Sequence, residues 1–294
     1  MVKLRGCGTA LVTPFLSDGA LDEKSLRSLV EWQIESGIDF LVPCGTTGET
    51  PTLSHDEWRK VIEVTIEVAA GRVPIVAGAT SNCTADAVQK ASEVCRIKGV
   101  DAILSASPYY NKPTQEGQYQ HFKAIAEAVT LPIVVYNVPG RTGVNLLPET
   151  LLRLSKLPNI AAVKEASGLV TQIAEICATI SNFTVLSGDD AMTLPAISVG
   201  AVGVISVASN AFPKEMAEMT RAALNDDWKH SRALYQKYLA LMQAHFIESN
   251  PMPVKAVMAM MGRIQENYRL PMCQMQPNLR AKLETIARAA GVVK

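Results

Sequence analysis

The sequence predicts an α/β architecture of the (β/α)8 type, a TIM barrel, followed by a C-terminal helical extension. Three observations carry this expectation. Short apolar runs alternate with longer amphipathic stretches from the N-terminus to about residue 225. Successive runs lie about 20–35 residues apart, the length of one βα unit. Several runs are apolar at consecutive positions, as strands buried on both faces of a parallel sheet are. A doubly wound sheet is the alternative, but no G-x-G-x-x-G follows the first run.

The eight expected strands are Cys7–Val12, Phe40–Pro43, Pro74–Ala77, Ala102–Ala106, Pro132–Tyr136, Ile160–Lys164, Thr184–Ser187 and Gly203–Val207. Between them, Glu23–Ser36, Asp56–Ala70 and Thr84–Lys98 have helical periodicity. Ser54 before Glu57, Thr84 before Asp86 and Pro148 before Glu149 supply caps or first-turn acids. Gly37 and Gly99 each precede a valine- or isoleucine-aspartate pair and a strand, as helix C′ glycines would. After about Asn225 the strand pattern stops. Trp228–Phe246, Val254–Met261 and Asn278–Ala290 read as helices, so residues 1–224 are assigned to the barrel and 225–294 to the extension.

Composition narrows the function. An apolar share of 48% with 19% charged residues indicates a globular chain, and zero net charge removes any general pull towards nucleic acid or anionic membrane. No apolar run approaches the roughly 20 residues of a membrane span. The segment Met1 to Phe15 has no signal-peptide layout. A cytoplasmic setting is expected. The six cysteines form no C-x-x-C and read as reduced, buried packing residues. The four histidines are scattered, so no metal site is expected, and none falls at a strand end, as a metal-dependent barrel enzyme would need.

In such a barrel, chemistry sits at the C-terminal ends of the strands. There the sequence places Gly45-Thr46-Thr47-Gly48-Glu49, Ser107-Pro108-Tyr109-Tyr110-Asn111, Tyr136-Asn137, Lys164-Glu165 and Gly188-Asp189-Asp190. Of the fifteen lysines, only Lys164 ends an apolar strand. Alternation puts it on the face of Ala162 and Ile160. If that face is interior, the ammonium is poorly solvated, its pKa falls, and the neutral amine can form an imine. A snorkelling lysine, or one paired with Glu165, is the plainer alternative. Tyr136 stands at the matching level of the preceding strand and could relay protons, or simply be a half-buried tyrosine. The Gly45–Gly48 run could cradle a small carboxylate or be a plain turn. Arg141, in a loop flanked by proline and glycine, could clamp a second carboxylate or be a surface arginine.

Taken together, Gly45-Thr46-Thr47-Gly48-Glu49, Tyr109-Tyr110-Asn111, Tyr136 to Gly143 and Val163-Lys164-Glu165-Ala166 resemble the signatures of the 4-hydroxy-tetrahydrodipicolinate (dihydrodipicolinate) synthase family. Ser187-Gly188-Asp189-Asp190, Gly203-Val204-Ile205-Ser206 and Asn250 to Lys255 extend the similarity over essentially the whole chain. The resemblance implies a lyase that condenses pyruvate with L-aspartate 4-semialdehyde on the route to lysine and diaminopimelate. It implies that Lys164 forms the Schiff base and Tyr136 moves protons over it. Thr46 would link Tyr136 to Tyr110 of a neighbouring subunit in a homotetramer, a dimer of dimers. Thr47 and Ile205 would hold the pyruvate, Arg141 the semialdehyde carboxylate, and Gly188 would lie at the substrate. No metal or organic cofactor is implied; pyruvate itself becomes the covalent imine.

The resemblance further implies a lysine-binding allosteric cleft at Pro51, His55, Trp58, Asn82, Asp86 and Tyr109. Asp86 and Trp58 depart from the glutamate and histidine of lysine-sensitive members. The nearest alternatives keep the imine and change the acceptor: N-acetylneuraminate lyase and 2-keto-3-deoxy sugar acid aldolases. A non-catalytic metabolite-binding barrel is disfavoured by the joint presence of Lys164, Tyr136 and Thr46.

Overall fold

The computed structural model describes residues 4–294. Strand and helix alternate as expected. The order opens with β1 (Gly6–Ala10), α1 (Glu23–Glu35), β2 (Phe40–Val42) and α2 (His55–Ala69). It continues with β3 (Val76–Gly78), α3 (Thr84–Val94), β4 (Ala102–Ala106), α4 (Gln115–Ala128) and β5 (Ile133–Asn137). Then come α5 (Pro139–Thr142), α6 (Pro148–Leu154), β6 (Ile160–Glu165), α7 (Val170–Thr179), β7 (Thr184–Ser187), α8 (Thr193–Ser198) and β8 (Gly203–Ser206). The C-terminal helices are α9 (Pro213–Leu224), α10 (Trp228–Ala244), α11 (Met252–Met260) and α12 (Pro277–Ala289). This is the (β/α)8 barrel pattern with helices appended.

Contacts divide the chain into two compact units. The first, Pro74–Ile205, holds a parallel run in the order β3-β4-β5-β6-β7-β8. Its strands bury consecutive residues, among them Val134 and Val135 on β5 and Ala162 and Val163 on β6. That is the signature of a sheet covered on both faces. Between β5 and β6 the pairing jumps from Ile133↔Ile160 to Val134↔Ala162, so Ala161 is an extra residue. The alternation that places Lys164 is therefore set from Ala162 onward.

The second unit comprises Gly6–Val73 and Ser206–Lys294. Here β1 pairs in parallel with β2. Gly8 faces the Phe40 ring so closely that a Cβ would collide with it, which makes glycine a requirement of this pairing. Helix α9 packs on β1, α10 on α9, and α12 against α10 and α11. Ser54 and Glu57 form a reciprocal capping box that starts α2, an arrangement in which the cap residue alone is worth about 1 kcal/mol.

The helix boundaries differ from expectation in places. Helix α3 stops at Val94, and Cys95, Arg96 and Ile97 continue as tight turns. Gly99, at φ +97°, thus closes a turn and is not a helix C′ residue, whereas Gly37, at φ +85°, does follow the C-cap Ser36. Thr84 is the first helical residue instead of the cap, and its hydroxyl lies 3.0 Å from His121 Nδ1. The six cysteines are free, but Cys83 and Cys273 are exposed and only Cys7 and Cys44 are buried, so most are not core packing residues.

Candidate active site

The ends of β5 and β6 bring two of the expected residues together in the first unit. Parallel pairing sets Tyr136 opposite Lys164 and Asn137 opposite Glu165. Successive residues point to opposite faces, so the lysine and the phenol share one face. The Lys164 Nζ stands 4.2 Å from the centroid of the Tyr136 ring. Lys164 is only 4% exposed. Burial pushes its pKa down to about 8; the Asp190 carboxylate opposes this and the Arg141 guanidinium adds to it. Tyr136 is pushed up to about 12, again first by burial, so its proton stays on the oxygen at neutral pH.

Neighbouring residues shape this pair. Gly188, just past β7, lies against the lysine stem: a Cβ there would sit 2.7 Å from the Ala166 Cβ and 3.1 Å from the Lys164 Cγ. A side chain at 188 would collide with Ala166 and crowd the lysine stem. Ile205, on β8, is fully buried. Arg141 lies in the single helical turn α5, where a loop was expected, and Gly143 ends that turn at φ +74°. Glu165, weighed above as an ion-pair partner of Lys164, instead accepts hydrogen bonds from Asn137 Nδ2 (2.9 Å), Gln172 Nε2 (3.2 Å) and the Ser167 N–H (2.7 Å). Tyr110 stands outside the pair, 88% exposed and in the left-handed region at φ +71°. For a bulky side chain that conformation is a genuine outlier.

The hydroxyl-rich run belongs to the second unit. Thr46–Gly48 is a short 3-10 turn whose following residue, Glu49, is left-handed at φ +52°. Thr47 is buried, and its hydroxyl accepts a hydrogen bond from Asn250 Nδ2 at 2.9 Å. Glu49 is buried as well, and its carboxylate meets Lys255 Nζ at 2.6 Å. Lys255 also donates to the Thr13 carbonyl at 3.0 Å and sits over the Phe15 ring. Sequence reasoning missed this second buried lysine because Met252–Met260 reads as an ordinary apolar helix; Glu49 lies far away in the chain.

Of the residues expected at a lysine-binding cleft, Pro51, His55 and Trp58 fall in the second unit and Asn82, Asp86 and Tyr109 in the first. Trp58 is buried, with its ring 5.8 Å from that of His55. Asp86 and Tyr109 are exposed. Among the described residues no cluster of three or more His, Cys, Asp or Glu could hold a metal ion, and no helix is long and apolar enough to cross a membrane.

Comparison with known proteins matches this geometry to a family. Residues 3–290 fit the model of the dihydrodipicolinate synthetase family. The chain is 71% identical to the 4-hydroxy-tetrahydrodipicolinate synthase of Koribacter versatilis, over 100% of this chain and 98% of that protein. Among solved structures, the chloride-inhibited dihydrodipicolinate synthase of Acinetobacter baumannii, complexed with pyruvate, superposes with a TM-score of 0.96 at 43% identity. That match covers 99% of this chain and 100% of the other. The enzyme of Cyanidioschyzon merolae with lysine bound gives 0.95 at 38% identity, covering 98% of this chain and 99% of that one. With fold, strand-end lysine and full-length similarity all in agreement, the chain belongs to the dihydrodipicolinate synthetase family.

Proposed function

We propose that this protein condenses pyruvate with L-aspartate 4-semialdehyde to give 4-hydroxy-tetrahydrodipicolinate, in lysine and diaminopimelate biosynthesis. The observation that carries the reading is the buried Lys164 amine, held over the Tyr136 ring with its pKa lowered towards neutrality. A neutral Lys164 Nζ attacks the ketone carbon of pyruvate. The carbinolamine loses its hydroxyl as water, with the Tyr136 phenol supplying the proton and then recovering one. Loss of a methyl proton gives the enamine, whose carbon attacks the semialdehyde aldehyde. The substrate amine then displaces Lys164 from the former ketone carbon, closing the ring and freeing the enzyme. The scheme uses no metal or organic cofactor.

Family roles complete the reading. Thr46 links Tyr136 to a partner's tyrosine; Thr47 and Ile205 hold the pyruvate, with Gly188 leaving room for it. Arg141 receives the semialdehyde carboxylate. The exposed, strained Tyr110 supports its use in a neighbouring subunit's site, in a dimer of dimers, with residues 225–294 as a helical extension of the catalytic barrel 1–224. Lysine binds between subunits at Pro51, His55, Trp58, Asn82, Asp86 and Tyr109, with Asp86 meeting its ammonium. Sedimentation equilibrium checks the assembly, and calorimetry with lysine on wild type and Asp86→Ala checks the cleft; undetectable heat with the wild type removes it.

One experiment decides the main reading. Pyruvate followed by borohydride should label Lys164, and a coupled assay should favour aspartate semialdehyde over N-acetylmannosamine. A label on another lysine, or equal turnover of the sugar, overturns it.

A further inference from the structure

Directly behind the Lys164–Tyr136 pair lies a buried polar layer that the reaction scheme does not use. Asn137 and Glu165 are the next residues along β5 and β6, they face each other in register, and both are buried. Asn137 Nδ2 donates to Glu165 Oε2 at 2.9 Å and to Asn145 Oδ1 at 2.7 Å. Asn137 Oδ1 accepts from the Leu146 N–H at 2.9 Å. Gln172, on α7, donates to Glu165 and to the Leu146 carbonyl, and accepts from Asn145 Nδ2 at 2.8 Å. The second Glu165 oxygen accepts from the Ser167 N–H at 2.7 Å. The Glu165 carboxylate thus sits 2% exposed with neutral donors on both oxygens, and among the described residues it makes no ion pair.

Two features show what such a layer does. The extra residue Ala161 interrupts the β5–β6 ladder below the lysine, so the register at Tyr136 and Lys164 is not inherited from the strand starts. A slip of one residue would send the amine to the wrong face. The ladder resumes at Val134↔Ala162, and the Asn137–Glu165 side-chain bond clamps that register one residue beyond the reacting level. The bonds from Asn137 to Asn145 and Leu146 also close the loop that carries Arg141, tying its two ends together.

We propose that Asn137, Glu165 and Gln172 are positioning residues for the imine chemistry, holding Lys164 and Tyr136 level and closing the Arg141 loop. The inference rests on the imine reading above. It is specific about polarity: the carboxylate must accept from three sides, so an amide of the same shape turns at least one contact into two facing donors.

Glu165→Gln tests this. Misplacing reacting groups by about 1 Å can cost about 100-fold in rate. The expectation is a kcat at least about tenfold lower and slower borohydride-trapped imine formation with pyruvate, both exceeding the fraction of protein unfolded. KM for pyruvate should change less. The swap Asn137→Asp/Glu165→Gln, which restores one acceptor facing one donor, should recover part of the loss, and Gln172→Leu should show a smaller loss of the same kind. A Glu165→Gln kcat within about twofold of the parent, a loss that only tracks unfolding, or no recovery in the swap overturns the proposal. Should Glu165→Gln fail to fold, Gln172→Leu carries the test against the same twofold limit. Failure of the imine reading would show separately, as no label on Lys164 in the parent enzyme.

Discussion

Two lysines of this chain are removed from water, one in each compact unit, and they differ in whether a carboxylate touches the amine. Lys255, fully buried on α11, has a carboxylate: Glu49 at 2.6 Å, with the Thr13 carbonyl at 3.0 Å. Lys164, on β6, is nearly as buried but has no carboxylate within ion-pair reach among the described residues; it stands over the Tyr136 ring. Burial lowers the pKa of both, and at Lys255 the Glu49 carboxylate acts against it. A buried amine with a counter-ion holds two segments together. A buried amine without one is available as a nucleophile near neutral pH. The Lys255 pair and the Asn250–Thr47 bond both anchor the Thr46–Glu49 turn to the segment around α11, so the structural lysine serves the part of the second unit to which carboxylate binding is assigned.

The contrast is broken most directly by removing each lysine. Lys164→Ala should lower kcat by about 1000-fold or more, as deleting a covalent nucleophile does, with little harm to folding. Lys255→Met should do the reverse. It leaves Glu49 buried without a cation, which typically costs about 3–5 kcal/mol, while pyruvate and borohydride still label Lys164 in whatever protein remains folded. Glu49→Gln/Lys255→Met should recover much of the lost stability, because removing both charges leaves no orphan. Denaturant melts and peptide mapping read all of these; a Lys255→Met variant as stable as the parent would end the distinction between the two sites.

The two lysines also differ in how well the sequence foretells them. Lys164 is legible because a charged residue closing Ile160-Ala161-Ala162-Val163 violates the apolar pattern of its strand, and Tyr136 follows from the register of neighbouring parallel strands. The barrel itself is legible for the same reason, since eight apolar runs at βα spacing leave few other folds. Lys255 leaves no such trace: a lone lysine in a helical stretch ordinarily reaches solvent, whereas α11 is buried from Met252 to Met258 and the partner Glu49 is set by tertiary packing between distant segments. A Lys164–Glu165 pair stays open on the sequence because the two are adjacent, whereas strand alternation sends the two side chains to opposite faces. The extra residue at Ala161 is a backbone event with no composition signal.

A second way to sharpen the contrast is stability against pH. The Lys164 pKa is about 8 in the folded state and 10.5 in the unfolded chain. Between those values the unfolded state binds more protons, so the contribution of this group to stability rises with pH through that window and is most unfavourable below about 8. The full difference corresponds to roughly 3 kcal/mol. Lys164→Met should therefore be more stable than the parent by up to about that amount at pH 7, with the advantage fading towards pH 10.5. Equal stabilities at pH 7 would mean that the amine is better solvated than its burial indicates.

The smallest expected effect is the most specific, because it concerns sign. Imine formation with pyruvate alone, followed by borohydride trapping at short times, should speed up about tenfold per pH unit below pH 8 and then level off, as the free amine fraction saturates. The midpoint reports the Lys164 pKa in the unliganded site. Two neighbours act on it in opposite directions: the Asp190 carboxylate raises it and the Arg141 guanidinium lowers it. Asp190→Asn should therefore move the midpoint to lower pH, and Arg141→Gln should move it to higher pH. No semialdehyde is present in this measurement, so the assigned role of Arg141 in binding that substrate does not enter. Shifts of the same sign in both variants would show that the midpoint follows a general loosening of the site, and that burial alone, without these two charges, sets the reactivity of the lysine.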